Sequence, residues 1–301
     1  MSDTAILTDA KVETPFQRFR AEFFESRIAT GALIVLGTIV VLAVLAPWIT
    51  PQNPYDLGQV SVMDGRLPPG SEAFDGYTMW LGSDGSGRDL YSAILYGLRI
   101  SLSVGLASGV IALLIGMVVG LVAAYAGGRT ENVIMRLVDL QLSFPASLVA
   151  LMLIAILGKG IENIILALVV AQWAYFARTV RGTALVERRK EYVEAAQCLG
   201  LSKTRVVLRH ILPNCLAPLI VVGTVQTAHA ISLEATLSFL GVGLPQTEPS
   251  LGVLIANGFE YLLSGRYWIS VFPGVALLLT VVSINLVGDH LRDVLNPRLR
   301  K

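Results

Sequence analysis

The sequence predicts an all-α integral membrane protein with six transmembrane helices, and three observations carry that prediction. Of 301 residues, 54% are hydrophobic and only 15% are charged, where a soluble chain carries about a quarter. The mean hydropathy is +0.65. The apolar residues gather into long runs, the first of which, 28–55, contains no charged residue; about 20 such residues span a bilayer. The net charge of +1 gives no reason to expect nucleic acid. Two cysteines, Cys198 and Cys215, provide neither a disulfide framework nor a metal spacing.

Residues 1–27 form a polar tail. Phe16, Phe19, Phe23 and Phe24 within it fit an amphipathic helix on the bilayer surface; a loosely ordered tail fits equally well. The first span is expected over about 28–49, with the element closing by residue 50. It is too long for a signal-peptide core and has no clear small-residue cleavage site. Residues 51–97 make a long polar insert. Its most distinctive piece is Leu81-Gly-Ser-Asp-Gly-Ser-Gly-Arg-Asp89, where three glycines allow a tight path. This spacing is neither a calcium nor a phosphate loop, so a structured turn is expected. A helix starts just after it, with Tyr91, Ile94, Leu95 and Leu98 on one face.

Residues 98–290 are expected to form a core of five helices. The second span lies in the charge-free run 100–128. Its pairs Gly105/Gly109 and Gly116/Gly120 allow helix backbones to approach closely. The third span covers about 137–157 and the fourth about 161–181. Only residues 163–177 of the fourth are uncharged, roughly 22 Å of helix, so Arg178 or Arg181 must snorkel at its end. The fifth and sixth spans are expected at about 214–237 and 268–288. A proline-bearing loop, 241–266, separates them, and a tail over 291–301 follows.

Between the fourth and fifth spans lies a basic segment, 183–213. Tyr192, Ala195, Ala196 and Leu199 recur at helical spacing and predict one apolar face. Gly200 suits a left-handed helix stop. Ser202 can cap a second short helix carrying Val207, Leu208, Ile211 and Leu212, and Pro213 ends that helix or starts the next span. Six spans place both termini on one side. Of the 23 Lys and Arg, eighteen fall on that side, which includes this segment. Arg66, Arg88, Arg99, Lys159 and Arg266 fall on the other. The bias predicts that the termini and the 183–213 loop are cytoplasmic.

The polar residues inside the spans are Gln172, Gln226, His229, Glu234 and Asn285. The first four are candidates for a translocation path, because intramembrane polar groups are costly and tend to line protected routes. An interhelical hydrogen bond is the structural alternative for each. Enzymatic chemistry finds little support. The three histidines are isolated, and Leu286 stands where a G-x-G-D protease motif needs its first glycine.

The loop Glu194-Ala-Ala…Gly200…Leu212-Pro213 resembles the EAA loop of ABC-importer permeases, with His210 where that family has Ile and Ile211 one place later. The chain is similar to the C-subunit type of dipeptide and oligopeptide permeases in three further stretches. These are Leu81–Asp89, with Ser83 where Thr is usual, Glu234–Gly243, and Asn285–Pro297. Nickel and glutathione permeases share most of these motifs. The resemblance covers about 28–298 and implies a multi-pass bacterial inner-membrane permease, half of a peptide translocation path. Its partners would be a second homologous permease, two cytoplasmic ATPase subunits and a periplasmic substrate-binding protein. Glu194, Ala195, Ala196, Gly200, Leu212 and Pro213 would form the ATPase-coupling surface. This chain would hold no cofactor or metal, ATP and Mg being bound by the ATPase, and it would not itself be an enzyme.

Overall fold

The computed structural model describes residues 14–295. A short helix, α1 (Pro15–Glu25), is opened by a capping box between Thr14 and Gln17. Ser26 then caps α2 (Arg27–Ile49), the first span. Of the two readings open for the tail, the helix holds for residues 15–25. It is docked as well as amphipathic: Phe23 is buried, its ring stands 5.0 Å from that of His290, and His290 Nε2 lies 3.0 Å from Phe23 O. Residues 1–13 and 296–301 lie outside the described part.

The insert contains a two-stranded antiparallel hairpin, β1 (Ser71–Glu72) and β2 (Thr78–Met79). It leads into α3 (Leu90–Ala126), a 37-residue helix capped by Asp89. At 1.5 Å per residue α3 is about 55 Å long, well beyond a hydrocarbon core of about 30 Å. The expected surface helix and second span are therefore one continuous rod.

The paired glycines of α3 serve two different partners. A Cβ on Gly105 would stand 2.5 Å from Ile231 of α9 (Leu212–Phe239), and one on Gly109 3.1 Å from Thr227. A Cβ on Gly116 would stand 2.5 Å from Trp173 O of α6 (Ile161–Glu187), and one on Gly120 2.5 Å from Ala177 O. Four absent side chains thus seat two helices directly on α3.

The expected third span is broken. Helix α4 (Gly128–Ser143) and α5 (Ala146–Leu157) meet at 89°. Pro145 forces the break, because a residue preceding proline is disfavoured in the helical region, and Phe144 is extended (φ −95°, ψ 141°). The expected snorkelling on α6 is replaced by ion pairs with α4: Arg178 with Asp139, and Arg181 with Glu131.

Two further differences bear on the site. The loop 241–266 holds a nine-residue helix, α10 (Leu251–Phe259), capped by Ser250 and wedged against α9 and α11 (Trp268–Leu295). A Cβ on Gly252 would stand 2.4 Å from Ala235 O, and one on Gly258 2.4 Å from Ser270 N. Helix α11 also runs on past 288 to Leu295, so Asp289 is helical, and so are Arg292 and Asp293 of the expected 291–301 tail. Among the described residues, five helices are long and apolar enough to cross a membrane, or six if the bent α4–α5 pair counts as one span.

Candidate functional site

The basic segment begins with α7 (Glu191–Cys198). Gly200 follows at φ +72°, the left-handed stop expected there. A Cβ on Gly200 would meet nothing within 4 Å, so the constraint is the dihedral alone. Ser202 occupies the N-cap position of α8 (Lys203–Val206) without a side-chain bond. The second helix does not end at Pro213. It continues through a π turn, Val207–Ile211, into α9, giving one rod over Lys203–Phe239. Pro213 explains the wide turn: proline lacks an N–H and clashes with the carbonyl four residues back. Leu212 N instead donates to Val207 O, five residues back.

The buried face of α7 differs from the expected one. Val193 and Ala196 point into the protein, packing with Val206 and Ile211. Tyr192, Ala195 and Leu199 face out, Leu199 being 80% exposed, and Glu194 is also exposed. The two alanines are thus divided, Ala196 to the core and Ala195 to the surface. Leu212 is half-buried and Pro213 is exposed. A small polar network ties α7 to its neighbours. Tyr192 Oη donates to Glu187 Oε2, and Asn214 Nδ2 donates to Tyr192 Oη at 3.0 Å and to His210 O at 2.8 Å. Lys190 pairs with Glu187 at 2.6 Å. Burial and the Glu187 carboxylate push the Tyr192 phenol up to about 12.

The four intramembrane candidates occupy four different environments. Gln172 is fully buried on α6, and neither end of its amide has a hydrogen-bond partner. Gln226 on α9 is 7% exposed, with its Nε2 also unpartnered, and it lines a cavity. His229 faces outward. Glu234 is completely enclosed: Ser101 Oγ donates to Oε2 at 2.9 Å and Ser238 Oγ to Oε1 at 2.8 Å. Ser101 belongs to α3, so this carboxylate clamps two helices together. The cavity measures about 820 Å³ and lies among α4, α6, α9 and α11. Besides Gln226 it is lined by Tyr175, Arg178, Thr179, Asp289 and Arg292. Neither Asp289, just past the expected end of the sixth span at 288, nor Arg292, in the expected tail, stands among the candidates predicted from sequence. Their three-residue spacing directly after an apolar run was the signal that they continue its helix.

The Leu81–Asp89 segment is a closed turn. Asp84 is 1% exposed, and its Oδ1 accepts from Ser86 N (2.8 Å) and Arg88 N (2.9 Å). Arg88 is buried too and donates to Gln246 O at 3.0 Å. Asp89 Oδ2 accepts from Ser92 N at 2.8 Å, and Asp89 N donates to Gln52 Oε1 at 2.7 Å. A Cβ on Gly87 would stand 2.0 Å from Ser61 O. Burial raises both the Asp84 and Asp89 carboxyls above their ordinary range.

The broken α4–α5 pair, the long α3 and α9 rods and the outlying α7 together describe a recognisable arrangement. Residues 112–301 match the model for the binding-protein-dependent transport system inner membrane component, and residues 14–69 match that for the N-terminal TM domain of oligopeptide transport permease C. This chain belongs to the binding-protein-dependent permease family. A Brucella suis protein whose name assigns it to a peptide transport system is 44% identical over 89% of this chain and 87% of its own length. The dipeptide transport system permease protein DppC of Escherichia coli K12 is 38% identical over 96% and 95%. The di/tripeptide permease DppC of Pseudomonas aeruginosa is 36% identical over 95% and 93%. A solved structure of the MetNI methionine ABC transporter in an inward-facing form shares the fold, with a TM-score of 0.55 and 21% identity over 68% of this permease and 96% of that chain. The permease is therefore a multi-pass bacterial inner-membrane protein that works with a binding protein and an ATPase.

Proposed function

We propose that this permease is one half of the translocation path of a peptide importer, the other half being a second, homologous permease chain. The termini and the 183–213 loop face the cytoplasm, where positive charge concentrates. Two ATPase subunits serve the assembly, and one docks on the exposed side of α7 through Glu194, Ala195 and Leu199. ATP and Mg belong to those subunits, so this chain carries no catalytic step. The substrate class follows the peptide-transport names of the relatives. A binding protein on the periplasmic side delivers the substrate.

One observation carries the coupling role: α8 and α9 form a single rod from Lys203 to Phe239. That rod begins at the Gly200 corner and reaches the cavity at Gln226. Movement of α7 against an ATPase is thereby delivered to a cavity wall without an intervening loop. Gln226 lies on the path, and Gln172, whose amide is unsatisfied in the same bundle, becomes available to it when the helices shift. His229, facing outward from α9, meets the second permease. Glu234 holds α9 to α3 while these changes occur.

Uptake of a labelled dipeptide into proteoliposomes containing the whole complex, ATP and the cognate binding protein tests this reading. Uptake should need all three. ATP-driven uptake of a different substrate class, with no peptide uptake, would refute the peptide assignment.

A further inference from the structure

The cavity carries a second kind of information in its polar lining. Asp289 and Arg292 both face it, one helical turn apart on α11. Residues at that spacing hold their Cβ atoms about 5–6 Å apart on one face. Their neighbours point elsewhere: Gly288 lies against Thr224, and His290 reaches Phe23 O. Arg178, the other cation in the lining, is committed to Asp139. Asp289 and Arg292 have no ion-pair partner among the described residues. Deeper in the same cavity stands the nearly buried amide of Gln226, with its Nε2 unpartnered. An unsatisfied buried amide costs on the order of 1–3 kcal/mol, and this one is free to pair with a polar group that enters the cavity.

We propose that this cavity is a binding site for the free termini of a short peptide. Asp289 takes the α-ammonium group, Arg292 takes the α-carboxylate, and the Gln226 amide takes the intervening peptide group. The proposal rests on the peptide-importer reading and adds to it a site on the permease itself. The charges select the ligand class. A simple anion would meet Asp289 and a simple cation would meet Arg292, whereas a zwitterion satisfies both. A divalent metal ion is a poor fit, since no group of three or more His, Cys, Asp or Glu occurs together among the described residues. Two extended residues span about 7 Å, on the scale of the about 5–6 Å between Cβ atoms one helical turn apart. The volume of about 820 Å³ is also within the range of small-ligand sites. A glutamine can both donate to a peptide C=O and accept from a peptide N–H. The site would hold the peptide after it leaves the binding protein and before release.

A zwitterionic lipid headgroup presents related chemistry, so the test separates the two. The complete complex, without its binding protein, is placed in nanodiscs of phosphatidylglycerol alone. Labelled dialanine is the probe; N-acetyl-dialanine and dialanine amide are the competitors. Free dialanine should compete about ten-fold better than either blocked form, the loss expected for one charge-assisted contact. Asp289→Asn should erase the preference against the acetylated form only, and Arg292→Gln that against the amide only. A purely structural role would move all three ligands together. Equal competition by blocked and free forms, absence of dialanine binding, or variants that keep both preferences would overturn the site. So would loss of dialanine binding on adding phosphatidylethanolamine, which assigns the site to lipid. If the complex imports dipeptides yet any of these overturning results appears, the site fails and the importer reading stands. If it imports no peptide, the reading fails and takes the site with it.

Discussion

Asn214 Nδ2 donates to the hydroxyl of Tyr192 at 3.0 Å, and so ties α7 to the first turn of α9 across the Gly200 corner. The same amide recovers His210 O within the π turn that precedes Pro213. Tyr192 in turn donates to Glu187 at the end of α6. Three elements are thus pinned through one phenol. Tyr192→Phe should cost about 1 kcal/mol and loosen α7 without unfolding the spans. Amide exchange should quicken over 191–200 and stay unchanged over α3 and α6.

The glycines of α3 set how closely α6 and α9 approach. Gly116→Leu places atoms where Trp173 O and Phe176 already stand and should cost about 3 kcal/mol by overpacking. Gly37 of α2 has nothing within 4 Å and is exposed, so Gly37→Leu should be tolerated. Folded yield after membrane extraction should fall sharply for the first variant and not for the second.

The insert should respond to pH. Burial raises the Asp84 and Asp89 carboxyls, so the folded insert holds protons more tightly than the unfolded chain. That contribution is fully present below about pH 4, the unfolded value, and is lost as pH rises through the folded value. Limited proteolysis within 51–89 should therefore be slower at pH 5 than at pH 8. Asp84→Asn keeps an oxygen for Ser86 N and Arg88 N and should flatten the difference, whereas Asp84→Ala loses both bonds and should lower the folded amount at either pH.

Topology gives a fourth expectation. A reporter active only in the periplasm should be active when fused near Gly70 and silent near Lys190. Activity at Lys190 would reverse the orientation drawn from charge.

Much of this architecture was legible because hydrophobic runs and small residues act locally. The first span, the close-approach glycines of α3 and the left-handed Gly200 each follow from their own few residues. What stayed hidden depends on partners far along the chain. Arg178 and Arg181 read as span ends because Asp139 and Glu131, on another helix, are what pair with them. The face of α7 was misassigned by about one position because Tyr192 and Leu199 are apolar by type, yet the core that Val193 and Ala196 enter is built by α6 and α9. The break at Pro145 and the helix α10 capped by Ser250 were not among the expectations drawn from sequence. Their consequence, one bent pair and one wedged helix, needed the packing of the whole bundle. Glu234 was singled out for its cost in a membrane; the serines of α3 and α9 that meet that cost are distant or inconspicuous in sequence.

The central claim is that the outer face of α7 carries the coupling, and the division of the two alanines tests it most directly. Ala195 is exposed and Ala196 is buried against the protein's own core. The measurement is ATP hydrolysis stimulated by the binding protein in proteoliposomes, with co-purification of the ATPase, for Ala195→Trp. The permease should insert in normal amount, lose its hold on the ATPase and show stimulated hydrolysis reduced about ten-fold or more, as for loss of a central contact. Ala196→Trp should instead lower the amount of folded permease. Normal ATPase retention and normal stimulation in the Ala195→Trp complex would contradict the account.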